Sequence, residues 1–91
     1  KEVLLSWSNS RESNMKLYQL ERSADGINFK LIGLMLSIGQ LNYHFTDPAP
    51  MQGSNYYRLK MVDKAGRFNY SETRLVDIYN KTRHTSLIRL S

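Results

Sequence analysis

NYYRLKM, residues 55–61, decides the reading of the fold. Successive side chains on a strand point to opposite faces. Tyr57, Leu59 and Met61 therefore share one side of an extended chain, and Tyr56, Arg58 and Lys60 share the other. One face is apolar and the other carries cations, which is the pattern of a half-buried strand. The same period of two recurs on both sides of this stretch. Val3, Leu5 and Trp7 alternate with Leu4 and Ser6, and Tyr18 and Leu20 alternate with Gln19 and Glu21. Phe29 to Gly33 is a short apolar strand candidate, and Tyr43 and Phe45 flank His44. Residues 70–79 form a last strand with an ambiguous inward face. Thr73 and Leu75 compete there with Val76 and Ile78, a conflict that a bulge would resolve. No segment keeps the apolar spacing of a capped helix.

Turn chemistry separates these runs. Residues 9–14 are polar. Asp25-Gly26 offers a residue that takes positive φ cheaply, as a hairpin turn requires. Asp47-Pro48-Ala49-Pro50 cannot donate to a ladder and is read as a connection. Gly53 opens the next strand, and Lys64-Ala65-Gly66 makes a second hairpin turn. About six strands at short, even spacing predict an all-β antiparallel sandwich. Without a long crossover helix, a parallel sheet is not expected. The predicted core is Val3, Leu5, Trp7, Tyr18, Leu20, Phe29, Ile32, Phe45, Tyr57, Leu59 and Met61.

Composition narrows the function classes. The 91 residues suit one small domain, with 41% hydrophobic and 23% charged residues. There is no cysteine, which excludes disulfides and thiolate metal sites. No apolar run is long enough to span a membrane as a helix, and membrane insertion is not expected. Lys1 stands where a full-length chain has Met, so the sequence is expected to be a piece of a longer protein. The net charge is +5. Lys81, Arg83 and Arg89 stand in residues 80–91 with no acid, which leaves ten basic and eight acidic residues before them. A nearly balanced globular part attracts phosphates poorly, so no nucleic-acid partner is expected.

Several stretches together resemble a known family. Val3-Leu4-Leu5-Ser6-Trp7 is similar to the second strand of fibronectin type III modules, whose tryptophan packs in the core. Residues 21–29 followed by Ile32-Gly33 resemble the strand-turn-strand of one branch. That branch occurs near the C-terminus of large secreted bacterial proteins, many with a type IX secretion sorting domain just downstream. Phe45-Thr46-Asp47, Gly53, residues 55–60, Val62-Asp63, Gly66 and Tyr70-Ser71-Glu72 continue the match across about residues 3–79. The resemblance implies an immunoglobulin-like sandwich in which Tyr57 plays a tyrosine-corner role, its phenol bonding to the chain just upstream. Met51 takes the place of a usual leucine. The family's first strand is missing, so one sheet edge is either bare or covered by something else. Residues 1–79 are read as the module and 80–91 as a basic tail. The tail could be a linker, the start of a following domain, or a strand filling the bare edge.

Candidate sites are sparse. Tyr56, Arg58 and Lys60 share an outward face, and an aromatic–basic stripe can bind sugars or single-stranded nucleic acid. The plainer reading is cross-strand pairing with Gln19 and Glu21. Residues 34–41 are apolar, and Leu34, Met35, Leu36 and Ile38 could form a sticky contact or extend a strand over the open sandwich. His44 beside Asp47 gives two ligands where zinc needs three or four. His84 lies in the tail. Asp25, Ser23 and Asn28 fall short of a calcium shell. Glu2, Glu12, Glu21 and Glu72 have bland places in strands or loops. Asn69-Tyr70-Ser71 and Asn80-Lys81-Thr82 match a glycosylation triplet.

The expected function is therefore a non-catalytic spacer without cofactor, in a secreted or cell-surface bacterial protein, with neighbouring domains of its own polypeptide as partners. The alternatives are a carbohydrate- or protein-binding module using Tyr56, Tyr43 or residues 34–41, and a homodimer through that segment or a bare sheet edge.

Overall fold

The computed structural model of the chain describes residues 2–9, 14–79 and 85–90. Eight strands run through them: β1 (Glu2–Ser8), β2 (Met15–Ser23), β3 (Lys30–Leu36), β4 (Asn42–Asp47), β5 (Gly53–Asp63), β6 (Phe68–Tyr70), β7 (Arg74–Ile78) and β8 (Thr85–Arg89). They form two sheets, packed as an all-β sandwich. One sheet has the order β4-β1-β8. The other has the order β3-β2-β5, with β6 and β7 sharing the far edge of β5. Glu12, the Asn80-Lys81-Thr82 triplet and His84 lie outside the described residues.

The period of two does the sorting. Val3, Leu5 and Trp7 of β1 face Tyr18, Leu20, Tyr57 and Leu59 of the other sheet, and all seven are buried. Tyr43, Val76, Ile78 and Leu90 complete the buried set, while Ile32, Met35, Phe45 and Met61 pack against it. The Trp7, Tyr18 and Tyr43 rings gather with centroids 5.0 to 5.7 Å apart. Each such pair contributes roughly 0.5–1.5 kcal/mol beyond area burial. That packing offsets the one buried donor left without a hydrogen-bond partner among the described residues, Trp7 Nε1.

Three expectations change and one open alternative is resolved. Phe29 is not in the core: it precedes β3 and lies under the Arg58 guanidinium on the outer face. The last strand is two. β6 and β7 are broken at Ser71, whose hydroxyl accepts from Leu59 N while its own amide donates to Leu59 O. Val76 and Ile78, not Thr73 and Leu75, face inward. The edge of β1 opposite β4 is paired with β8, and the pairing is parallel. No helix is needed for this, because the chain reaches β8 from β7 in the opposite sheet rather than from its own neighbour.

β3 extends through Leu36, further than the apolar run to Gly33 suggests, and carries a bulge. Leu20 pairs with Gly33 and Glu21 with Leu31, so Ile32 is the extra residue. The bulge turns Ile32 and Gly33 toward the core in succession. Gly33 lies against Phe45, and a Cβ added there would stand 2.5 Å from Phe45 Cε1. Only a hydrogen fits. Gly33→Ala is therefore expected to destabilise the protein by about 1–3 kcal/mol, the range for overpacking a tight core, as read from denaturant unfolding. Adding Phe45→Leu should return part of the loss. A Gly33→Ala midpoint equal to wild type would show that the ring does not sit there.

Candidate functional site

The outward side chains of the five-stranded sheet make an extended surface of mixed chemistry. Alternation against buried Tyr18, Leu20, Tyr57 and Leu59 places Leu17, Gln19, Glu21, Tyr56, Arg58, Lys60 and Val62 outward. Register aligns them in rows. Leu34, Gln19, Lys60 and Tyr70 form one row, and Leu31, Glu21 and Arg58 the next. The Tyr56, Arg58 and Lys60 stripe and, from the apolar segment, Leu34 and Leu36 thus lie on one face, with β2 between them.

At the centre, Arg58 is enclosed. Its Nε donates to Glu21 Oε1 at 2.7 Å, and its guanidinium carbon lies 3.9 Å from the ring centroids of both Phe29 and Tyr70. Lys60 Nζ sits 4.1 Å above the Phe68 ring, and Phe68 meets Tyr70 edge to face at 5.6 Å. Tyr56 is half-buried, and its ring lies beside Gly26, where an added Cβ would stand 3.5 Å from Tyr56 Cδ1. The cations and aromatics of this stripe are therefore engaged with one another, each contact worth ~0.5–1 kcal/mol at an exposed site. A sugar or a base would have to displace a cation before it could stack on the covered faces of Phe29, Phe68 or Tyr70.

The β3 flank differs. Leu34 and Leu36 of β3, and Ile38 beyond it, are exposed, at 49%, 59% and 65%. Leu31 and Leu41 are exposed beside them. Met35 points the other way, into the core. Tyr43, considered as a sugar platform, is buried, and its hydroxyl accepts from Ile38 N and Gln40 N.

A second constellation lies inside the sandwich. Asp47, at the end of β4, is buried. Its Oδ2 accepts from the Tyr57 hydroxyl at 2.6 Å and from Arg22 Nη1 at 2.7 Å, and its Oδ1 accepts from Ala49 N. Burial, then the bond to Asp47 and its charge, push the Tyr57 phenol well above its ordinary 10. Tyr57 bonds upstream as the resemblance implies, but its acceptor is this carboxylate. The local corner is held instead by buried Asn55. It accepts from Met51 N and donates to the carbonyls of Met51 and Gly53. His44 is exposed while its strand neighbours Tyr43 and Asp47 are buried, so His44 and Asp47 diverge and cannot share a metal. Among the described residues no three His, Cys, Asp or Glu side chains converge on a metal position.

Two small clefts open among the described residues. A cleft of about 210 Å³ is lined by Arg22, Ser23, Ala24, Asn28, Lys30 and Met51, and one of about 150 Å³ by Asn14, Asp63, Lys64, Ala65 and Arg67. Both fall short of the ~300 Å³ at which ligand pockets begin. No family model, curated protein or solved structure matches this chain. The function must be argued from the residues themselves.

Some of these groups could have been found in the sequence. Asn55 shares the inward parity of Tyr57 and Leu59, where a polar residue calls for partners. Phe68 and Tyr70 are two apart on a hairpin whose register sets them beside Val62 and Lys60. The Asp47–Arg22 pair has no local signal, because 25 residues separate its members.

The Asp25 loop forms a self-contained turn. Asp25 Oδ1 accepts from Ile27 N, Asn28 N and Ser23 Oγ, all at 2.8 Å, and Oδ2 accepts from Asn28 Nδ2. Gly26 takes φ 79°. Bonds from the Asn28 and Ile27 amides, joined by the Ser23 and Asn28 side chains, hold the carboxyl well below its usual 3.8. The folded state then binds fewer protons than the unfolded chain, so this contribution is present above the unfolded pKa and is lost as pH falls below it. Asp25→Ala should unfold at lower denaturant than wild type at neutral pH. The gap should narrow as pH falls from about 5 to about 2. A gap constant across that range would separate the loop from the titration of Asp25.

Proposed function

We propose that the chain is a fibronectin type III-like module serving as a non-catalytic spacer in a larger exported or cell-surface bacterial protein, of the kind that precedes a type IX secretion sorting domain. Its polar and charged groups work inward. Asp47, Arg22 and Tyr57 join the two sheets, Arg58 and Lys60 cover the aromatic rings, and Asp25 and Asp63 close their own turns. The observation that carries the reading is Arg58, whose guanidinium is taken up by Glu21, Phe29 and Tyr70 together. The stripe with the chemistry to bind a ligand is thereby a stabiliser of the outer face. Trp7 and Tyr57, the rings on which the family resemblance turns, are both buried. β8 pairs with the edge of β1 that lies away from β4.

A second reading is favoured by one surface. Leu31, Leu34 and Leu36 are exposed on β3, the end strand of its sheet. A free strand edge with apolar side chains invites pairing with another copy. One experiment separates the readings. Amide spectra of the chain are recorded while a panel of oligosaccharides is titrated in, and again while the protein is concentrated alone. The spacer reading predicts no saturable shift in either series. Saturable shifts at Tyr56, Arg58 and Lys60 on adding sugar would replace it with carbohydrate binding. Shifts at Leu34 and Leu36 that follow protein concentration would replace it with self-association.

A further inference from the structure

The parallel pair β1–β8 sets how the chain passes through the module. Glu2 pairs with Thr85, Val3 with Ser86, Leu4 with Leu87, Leu5 with Ile88 and Ser6 with Arg89. Both strands run the same way, so the chain enters the pair beside Glu2 and leaves it at the other end, beside Ser6 and Arg89. Without β8 the course would be different. Ile78 ends β7 opposite Gly53, and Asp47, just before Gly53 in the chain, pairs with Val3. Entry and exit would then lie at the same end of the sandwich.

We infer a mechanical function: β1 and β8 form a shear clamp that resists tension applied between the two terminal strands. Tension draws Glu2 backward along β1 and Leu90 forward along β8. The two pulls are opposed and lie along the strand axes. Every hydrogen bond between the strands is loaded together, and none can open before its neighbours. An antiparallel β8 would place both pulls at one end, where the bonds would open in turn under a smaller force.

The side chains deepen the hold. Leu90 is 2% exposed, and Ile88 packs against the core. Sliding β8 by one step would drag both out of apolar contact, because a one-residue slip moves every side chain to the other face. Leu90 N donates to Ser6 O at 2.7 Å, Ser6 Oγ to Ile88 O at 3.4 Å, and Arg89 Nη2 to Ser8 Oγ at 3.1 Å. On its other edge β1 is held by six residue pairs to β4. β8 has β1 as its sheet neighbour, so the β1–β8 ladder is the element that yields first. The inference rests on the spacer reading only for the source of the tension. The clamp itself is a property of the folded chain.

Single-molecule pulling tests it. The chain has no cysteine, so handles go only where they are placed. Two attachments are compared at one loading rate: terminal handles, which shear the pair, and handles on Glu2→Cys with Thr85→Cys, which open the same pair from one end. The expected rupture force is severalfold higher for the terminal handles, since forced unfolding reports the barrier along the loaded path. Leu90→Ala should lower the terminal value. Equal forces in the two geometries, or an unchanged force in Leu90→Ala, would overturn the clamp. A saturable sugar titration would remove the spacer reading and leave this force ratio untouched, so the two failures are distinguishable.

Discussion

Asp47 is the group on which the rest of the sandwich depends. It ends β4 in the three-stranded sheet, while its partners Tyr57 and Arg22 belong to β5 and β2 of the other sheet. A carboxylate taken out of water costs several kcal/mol unless its bonds are replaced. Here a phenol, a guanidinium and a backbone amide replace them within 3.2 Å. The arrangement is directional where hydrophobic burial is not. Apolar faces can slide over one another, but this acceptor fits its donors in one relative placement of the sheets. Tyr57, Val3, Leu5 and Leu59 then pack without exposure.

The remaining polar groups repeat the pattern on a smaller scale. Asn55 satisfies the turn that leads into β5, and Asp63 closes the hairpin after it by accepting from Ala65 N and Arg67 N. Ser71 bonds Leu59 where the edge strand breaks. Apart from Trp7 Nε1, the buried polar side-chain atoms of the described residues all find partners. A small core requires this, since an orphaned buried group costs roughly 1–3 kcal/mol. The consequence for function is that few groups remain to meet a ligand. Among the described residues the exposed leucines of β3 are one feature turned outward, and the parallel pair β1–β8 is another that the core does not use up.

Period-two alternation makes β1, β2, β4 and β5 legible in the sequence, and with them most of the core. It works because one face of each strand is buried and a one-residue slip would expose it. It fails where alternation breaks. Phe29 is at the end of a turn, so its side cannot be counted from the strand that follows. Ile32 and Gly33 face the same way because of a bulge. β7 is ambiguous because Ser71 interrupts the run that pairs with β5. β8 has no local signal for its place, since what buries Leu90 is β1, more than eighty residues away in sequence. The outer stripe is legible as parity and as the Glu21–Arg58 pairing. The two rings flanking Arg58 come from a loop and from β6, and only the topology brings them there.

The most direct test of the Asp47 account is a double-mutant cycle on Tyr57→Phe and Asp47→Ala, read from denaturant unfolding. If one buried bond joins the two sheets through these residues, the single changes overlap, and the coupling energy should be about 1–3 kcal/mol. Losses that simply add, within about 0.5 kcal/mol, would mean that Tyr57 and Asp47 stabilise the protein separately and that the placement of the sheets comes from apolar packing alone.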